Sequence, residues 1–239
     1  MDRNACAAVR VGGRATCVTA LRNYGVFAYD SSVPHIHLER DASRMRSPRS
    51  IRQPLTKTNR LGAILHWTPL IDPTSATDHL VGLPDALAQA IVCQRSEHAI
   101  ASLDNALHQK LIDGDAVAAI FDSLPAKYRW MPSRLNPLAE AGQESVLRLI
   151  VEDAGLDYEI QVEIDDLGRV DLLVAGVLVL EADSRSHHDG WEAQVRDRRR
   201  DLIAAQHGYG SLRPAYQHTM KNPVLVRDAV LGLVAALRA

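Results

Sequence analysis

Between positions 171 and 188 the chain carries Asp171, Glu181, Asp183, His187 and His188 around an apolar run, Val177 to Leu180. Residues two apart on a strand share a face, so Glu181 and Asp183 are expected to project together from the end of that run. Two carboxylates side by side repel, and burying either without a partner is costly. They must therefore face water or hold something positive. Converging carboxylates form a hard oxygen site suited to Mg²⁺, with Mn²⁺ as an alternative. Such an ion acidifies a bound water and neutralises phosphate charge during an in-line displacement.

Whether Asp171 joins the pair depends on the turn at Ala175-Gly176. A two-residue turn pairs Asp171 with Leu180 and sends it to the opposite face, whereas a three-residue loop or a bulge brings it onto the face of Glu181. Glu144, in the first turn of the preceding helix, reads either as an outer carboxylate of the same site or as an acid favoured there by the helix dipole. His188 has a side chain suited to proton transfer near neutral pH. By itself, the His187-His188 pair reads equally as a polar loop that opens the next helix.

The elements that must position these residues are legible over the second half of the chain. A helix spans 142–155, strands follow at 158–164, 169–175 and 177–183, a helix at 191–208, a strand at 211–216 and a closing helix from about 222 to 238. That order is αβββαβα. Its central hairpin is apolar enough to be buried on both faces. Pro125, Pro132 and Pro137 break up the preceding segment and set a boundary between residues 1–136 and 137–239.

The first part is mixed: a short helix within 11–26, a strand within 35–41, a strand within 62–71, two helices across 85–112 and a third over 113–124. Residues 42–60 carry Arg44, Arg46, Arg49, Arg52, Lys57 and Arg60 with no acid, and read as a solvated loop or edge of positive potential. The run "RDRRRD" (196–201) reads as a mixed-charge helix face.

Taken together, "QESVLRLIVEDAG", "VEIDDLGRVDLLVAGVLVLEADSRSHH", "DRRRD" and "HGY" resemble the very-short-patch-repair-like branch of the PD-(D/E)XK endonuclease superfamily over roughly residues 140–239. The family pattern is a helix Glu, a strand Asp, an E-x-D at the end of the next strand and a His five residues on. It falls here on Glu144, Asp171, Glu181, Asp183 and His188. Asp183 stands where the wider superfamily has lysine, as is usual in this branch, so the base or water-positioning role passes to His188 or the metal. His187 occupies a position often held by Phe or Trp.

The resemblance implies an α/β, restriction-endonuclease-like core, with a mixed central sheet flanked by helices and a smaller α+β accessory domain before it. It implies Mg²⁺ at Asp171, Glu181 and Asp183, and DNA as partner. It also puts the 191–208 helix beside the active site, so Arg198, Arg199 and Arg200, together with Arg213 of the next strand, become candidates for the nucleic-acid backbone. Residues 11–26 and 35–48 resemble the region that follows a winged helix in the type IV abortive-infection antitoxin class. That winged helix would lie upstream of Met1, and the expectation is that this chain lacks it.

Composition permits this reading. The 239 residues are 46% apolar and 23% charged, with a formal charge of −2, which excludes a globally basic nucleic-acid binder but not a local basic face. Only four of the 27 basic residues are lysine, a bias that genomic composition explains as well as phosphate recognition does. Cys6, Cys17 and Cys93 form no CxxC pair, which argues against a disulfide framework or zinc ribbon and fits a reducing cytoplasm. No signal-like segment or membrane span is expected. The sequence therefore supports a metal-dependent DNA endonuclease in repair or defence. Its alternative is a non-catalytic DNA-binding or antitoxin-like regulator that keeps the fold.

Overall fold

The computed structural model describes residues 2–30, 32–183 and 191–239. The chain is mixed α/β and divides into two compact units, Met1–Pro137 and Leu138–Ala239; the first is the larger, so the expectation of a smaller accessory domain does not hold. Among the described residues no helix is long and apolar enough to cross a membrane.

The first unit opens with α1 (Arg3–Val11), β1 (Arg14–Ala15), α2 (Cys17–Asn23) and β2 (His35–His37). After these come β3 (Arg46–Ser47), β4 (Ser50–Pro54), β5 (Ile64–His66), α3 (Leu83–Cys93), α4 (Ser96–His108) and α5 (Gly114–Asp122). Asp2 caps α1 by accepting from the Ala5 N–H at 2.8 Å, and Gly12, at φ 97°, ends that helix in the left-handed conformation glycine tolerates. The sheet runs β1-β2-β5, antiparallel then parallel. Its centre, β2, is buried at all three residues, so His35-Ile36-His37 alternates in chemistry without alternating in exposure. Residues 42–60 supply the two-stranded β3/β4 hairpin rather than a bare loop, with Arg44, Arg49, Arg52 and Lys57 exposed. Short 3₁₀ turns at Ala126–Tyr128 and Met131–Arg134 stand where the prolines forbid a continuous helix.

In the second unit α6 (Gly142–Asp153) precedes β6 (Tyr158–Ile164), β7 (Gly168–Val174) and β8 (Leu178–Leu180). Then come α7 (Trp191–Gln206), β9 (Gly210–Leu212), α8 (Tyr216–Lys221) and α9 (Pro223–Arg238). The sheet order is β6-β7-β8-β9, an antiparallel meander closed by a parallel β8/β9 pair. Because parallel neighbours need a crossover, α7 lies between them in sequence, and its Ala204 packs with Leu167, Val170, Leu173 and Val179 of the sheet. The final strand, β9, ends at Leu212, short of the expected 211–216, and the additional helix α8 begins at Tyr216. At Gly210 a Cβ would lie 2.6 Å from a methyl of Leu237, so glycine lets α9 approach β9 closely.

Candidate functional site

The register of the β7/β8 hairpin settles the position of Asp171. Val174 pairs with Leu178, leaving a three-residue loop, Ala175-Gly176-Val177. Ala175 (φ 56°) and Gly176 (φ 68°) turn it through the left-handed region. Leu172 pairs with Leu180, so the next pair brings Asp171 opposite Glu181. The Ala182 N–H, one residue on, donates to Asp171 Oδ2 at 2.8 Å.

The other flank of Asp171 is equally distinctive. The β6/β7 ladder pairs Ile160 with Leu172 and Val162 with Val170. Between them Gln161 adopts φ 53°, a conformation that costs a non-glycine residue on the order of 1 kcal/mol or more. Its Nε2 donates to Glu144 Oε2 at 3.1 Å, and that same oxygen accepts from the Glu140 N–H at 2.9 Å. Gln161, Asp171 and Glu181 thus form a polar row across three neighbouring segments, with Glu144 brought to it from α6. Gln161 belongs to no motif that its neighbours along the chain define. Only its backbone conformation and its bond to Glu144 mark it.

Electrostatics separate the acids. Burial, then the charge of Asp171, pushes Glu144 up to about 7. Burial likewise raises Asp171; the Ala182 bond opposes the rise and Glu181 and Glu140 add to it. Glu181 has a different environment. Its side chain is 14% exposed and is gripped by two arginines: Arg200 Nη2 lies 2.5 Å from Oε1, and Arg213 reaches Oε2 through Nε at 2.7 Å and Nη2 at 2.5 Å. Arg200 also donates to the carbonyls of Leu167 (2.6 Å) and Arg169 (3.0 Å). Arg213 further contacts Asp201 (3.3 Å) and Asp197 (3.6 Å).

These two arginines, candidates for a nucleic-acid backbone, are therefore turned onto the sheet, whereas Arg198 and Arg199 on α7 are exposed. Asp183 lies beyond the end of β8 and forms a parallel bridge to Ala215. His187 and His188 lie outside the described residues.

Whether a hard divalent cation suits this site follows from the same geometry. Glu144 and Asp171 are half-buried acids with raised proton affinity, Glu144 through burial and the charge of Asp171, and Asp171 through burial and the charges of Glu181 and Glu140, an arrangement a cation relieves. At Glu181 a cation has to displace Arg200 or Arg213.

A second group of ligand-type side chains occurs in the first unit. Cys17, His35, His66 and Cys93 each offer one ligand atom, all within 4.8 Å of one another. Among the described residues no set of carboxylates meets that standard. The four come from the start of α2, the start of β2, the end of β5 and the end of α3. His35 Nδ1 faces His66 Nε2 at 3.1 Å. Burial and a neighbouring Cys93 raise the Cys17 thiol. The bond from Cys17, with smaller contributions from His35 and His66, lowers Cys93 to about 4 against the opposing effect of burial. Burial lowers His66 to about 4. Linear spacing concealed this set, because its members lie 18 to 76 positions apart.

Comparison of the chain with protein-family models, with curated proteins and with solved structures returned no match.

Proposed function

We propose that the carboxy-terminal unit is a metal-dependent DNA endonuclease site of the restriction-endonuclease-like type, serving repair or defence in the cytoplasm. The observation that carries the reading is the polar row itself. Asp171 and Glu181 stand opposite one another at the end of a β7/β8 hairpin, beside the charge-coupled Glu144, in a sheet whose element order is αβββαβ. Resemblance to the very-short-patch-repair-like branch supports the same assignment.

In this reading Asp171, Glu181 and Asp183 hold Mg²⁺ or Mn²⁺, with Glu144 as an outer carboxylate. The ion supplies charge neutralisation at the scissile phosphate and an acidified water. Glu144, with its proton affinity near neutrality, takes or returns a proton at Oε1 or Oε2. Gln161 fixes the orientation of that carboxylate through Nε2. His188 assists proton transfer at the leaving oxygen. The exposed Arg198 and Arg199 contact the DNA backbone.

One observation favours a second reading. Both oxygens of Glu181 are already occupied by guanidinium groups, which suits a DNA-binding or antitoxin-like regulator that keeps the fold without turnover. Incubating the full chain with supercoiled, mismatched and single-stranded DNA, with Mg²⁺, Mn²⁺ or EDTA, separates the two. The endonuclease reading expects metal-dependent nicking that is lost in Asp171→Asn. DNA binding without nicking in either metal establishes the regulator instead, and neither binding nor cleavage at low salt removes both.

A further inference from the structure

We propose that Cys17, His35, His66 and Cys93 bind a zinc ion that pins together the sheet and helices of the amino-terminal unit. Two sulfurs and two imidazole nitrogens form a borderline-soft tetrahedral set of the kind zinc prefers, and one unsuited to magnesium. The geometry is close to what is needed. In a zinc tetrahedron nitrogen ligands lie roughly 3.3 Å apart and sulfurs roughly 3.8 Å. Here His35 Nδ1 and His66 Nε2 are already 3.1 Å apart, with the four ligand atoms inside a 4.8 Å span.

Hydrogen bonds between the elements that carry them hold the ligand positions together. Cys17 adopts φ 51°, an uncommon conformation for a residue with a Cβ. The adjacent Thr16 donates through its hydroxyl to Gln89 Oε1 at 2.7 Å, one turn before Cys93 on α3. The Thr16 N–H donates to the His35 carbonyl at 3.1 Å, and the His35 N–H donates to Thr19 Oγ1 at 2.9 Å. His66 reaches the site through the parallel β2/β5 register. Cys17 and His35 are buried, His66 is half-buried and Cys93 is exposed, so the ion has a path of entry on the Cys93 side. Four protein ligands complete the coordination shell, which makes the site structural rather than catalytic. His37, buried on the same strand, has both ring nitrogens without a hydrogen bond and stands outside the ligand set.

The inference is independent of the nuclease reading. The experiment is elemental analysis of the full chain after chromatography in a weak chelator, run in parallel on Cys93→Ser, His66→Ala and the control Cys6→Ser, with folding checked by circular dichroism. About one zinc per wild-type chain is expected for a closed four-ligand site, retained in Cys6→Ser and lost in the other two. Reconstitution of the wild type with Co²⁺ should give thiolate-to-cobalt charge transfer and tetrahedral d–d bands, a readout that needs no variant to fold. Zinc retained by folded Cys93→Ser, a cobalt spectrum without thiolate bands, or a metal-free wild type in which peptide mapping finds a Cys17–Cys93 disulfide would each overturn the proposal.

Discussion

Replacing Glu144 with Gln should stabilise the carboxy-terminal unit, and only at high pH. The ordinary value for this carboxyl is 4.5, and in the folded chain burial and Asp171 hold it near 7. Below 4.5 the group is protonated whether the chain is folded or not, so the native state has its full stability. As pH rises the unfolded chain ionises first, and stability drains away until pH passes the folded value near 7. That gap corresponds to roughly 3 kcal/mol. The side chain is only partly buried, and solvent screening brings the figure to about 2 kcal/mol.

Gln keeps a carbonyl oxygen to accept from the Glu140 N–H and from Gln161. It also replaces a charge that repels Asp171 with an amide able to donate to it. The assay is urea denaturation followed through the methyl resonances of Leu172 and Val179, at pH 8 and pH 4. We expect Glu144→Gln to gain about 2 kcal/mol at pH 8 and nothing at pH 4. A loss of stability at pH 8, or a gain of the same size at both pH values, would refute the assignment of Glu144 as a destabilised acid.

Arg213→Ala, by leaving Glu181 with Arg200 alone, should cost about 2 kcal/mol in the same assay; adding Glu181→Gln should recover part of it, and strict additivity would show that the pair is not coupled. In the other unit, Gly13→Ala sets a Cβ 2.3 Å from the His37 carbonyl oxygen, a backbone atom that cannot yield. It should lower stability by about 2–3 kcal/mol, and an unchanged melting temperature would contradict the close β1/β2 approach. If α7 carries phosphate contacts, Arg198→Ala combined with Arg199→Ala should reduce the slope of log affinity for duplex DNA against log salt by about 1.8. An unaltered slope would place the DNA contacts elsewhere.

Much of the secondary structure was legible because its causes are local. The 3.6-residue apolar pattern of α6, the seven-residue span of β6, the prolines between α5 and α6, and the three helices α3 to α5 all arise from neighbours along the chain. The site was legible as a set of acids, since Glu181 and Asp183 end an apolar run that would otherwise be expected to continue in apolar residues. The outcome for the arginines was not. Arg200 and Arg213 have the same composition and flanking charge as a phosphate-binding face, and their pairing with Glu181 depends on the crossover through α7 that sets β9 beside β8.

By itself, then, the sequence determined which residue types are available and the order of the elements carrying them, because helix and strand periodicity, capping and proline restriction act within a few residues. Only the tertiary structure decided the rest. The face Asp171 shares turns on a single residue in the length of the β7/β8 loop, a difference that leaves the hydrophobic pattern unchanged and inverts every side chain. The meeting of Cys17, His35, His66 and Cys93 turns on the packing of two helices against a three-stranded sheet. Ligand spacing along the chain is informative when a single turn or hairpin presents the ligands. Here four separate elements present them, and their proximity is a property of the packed core.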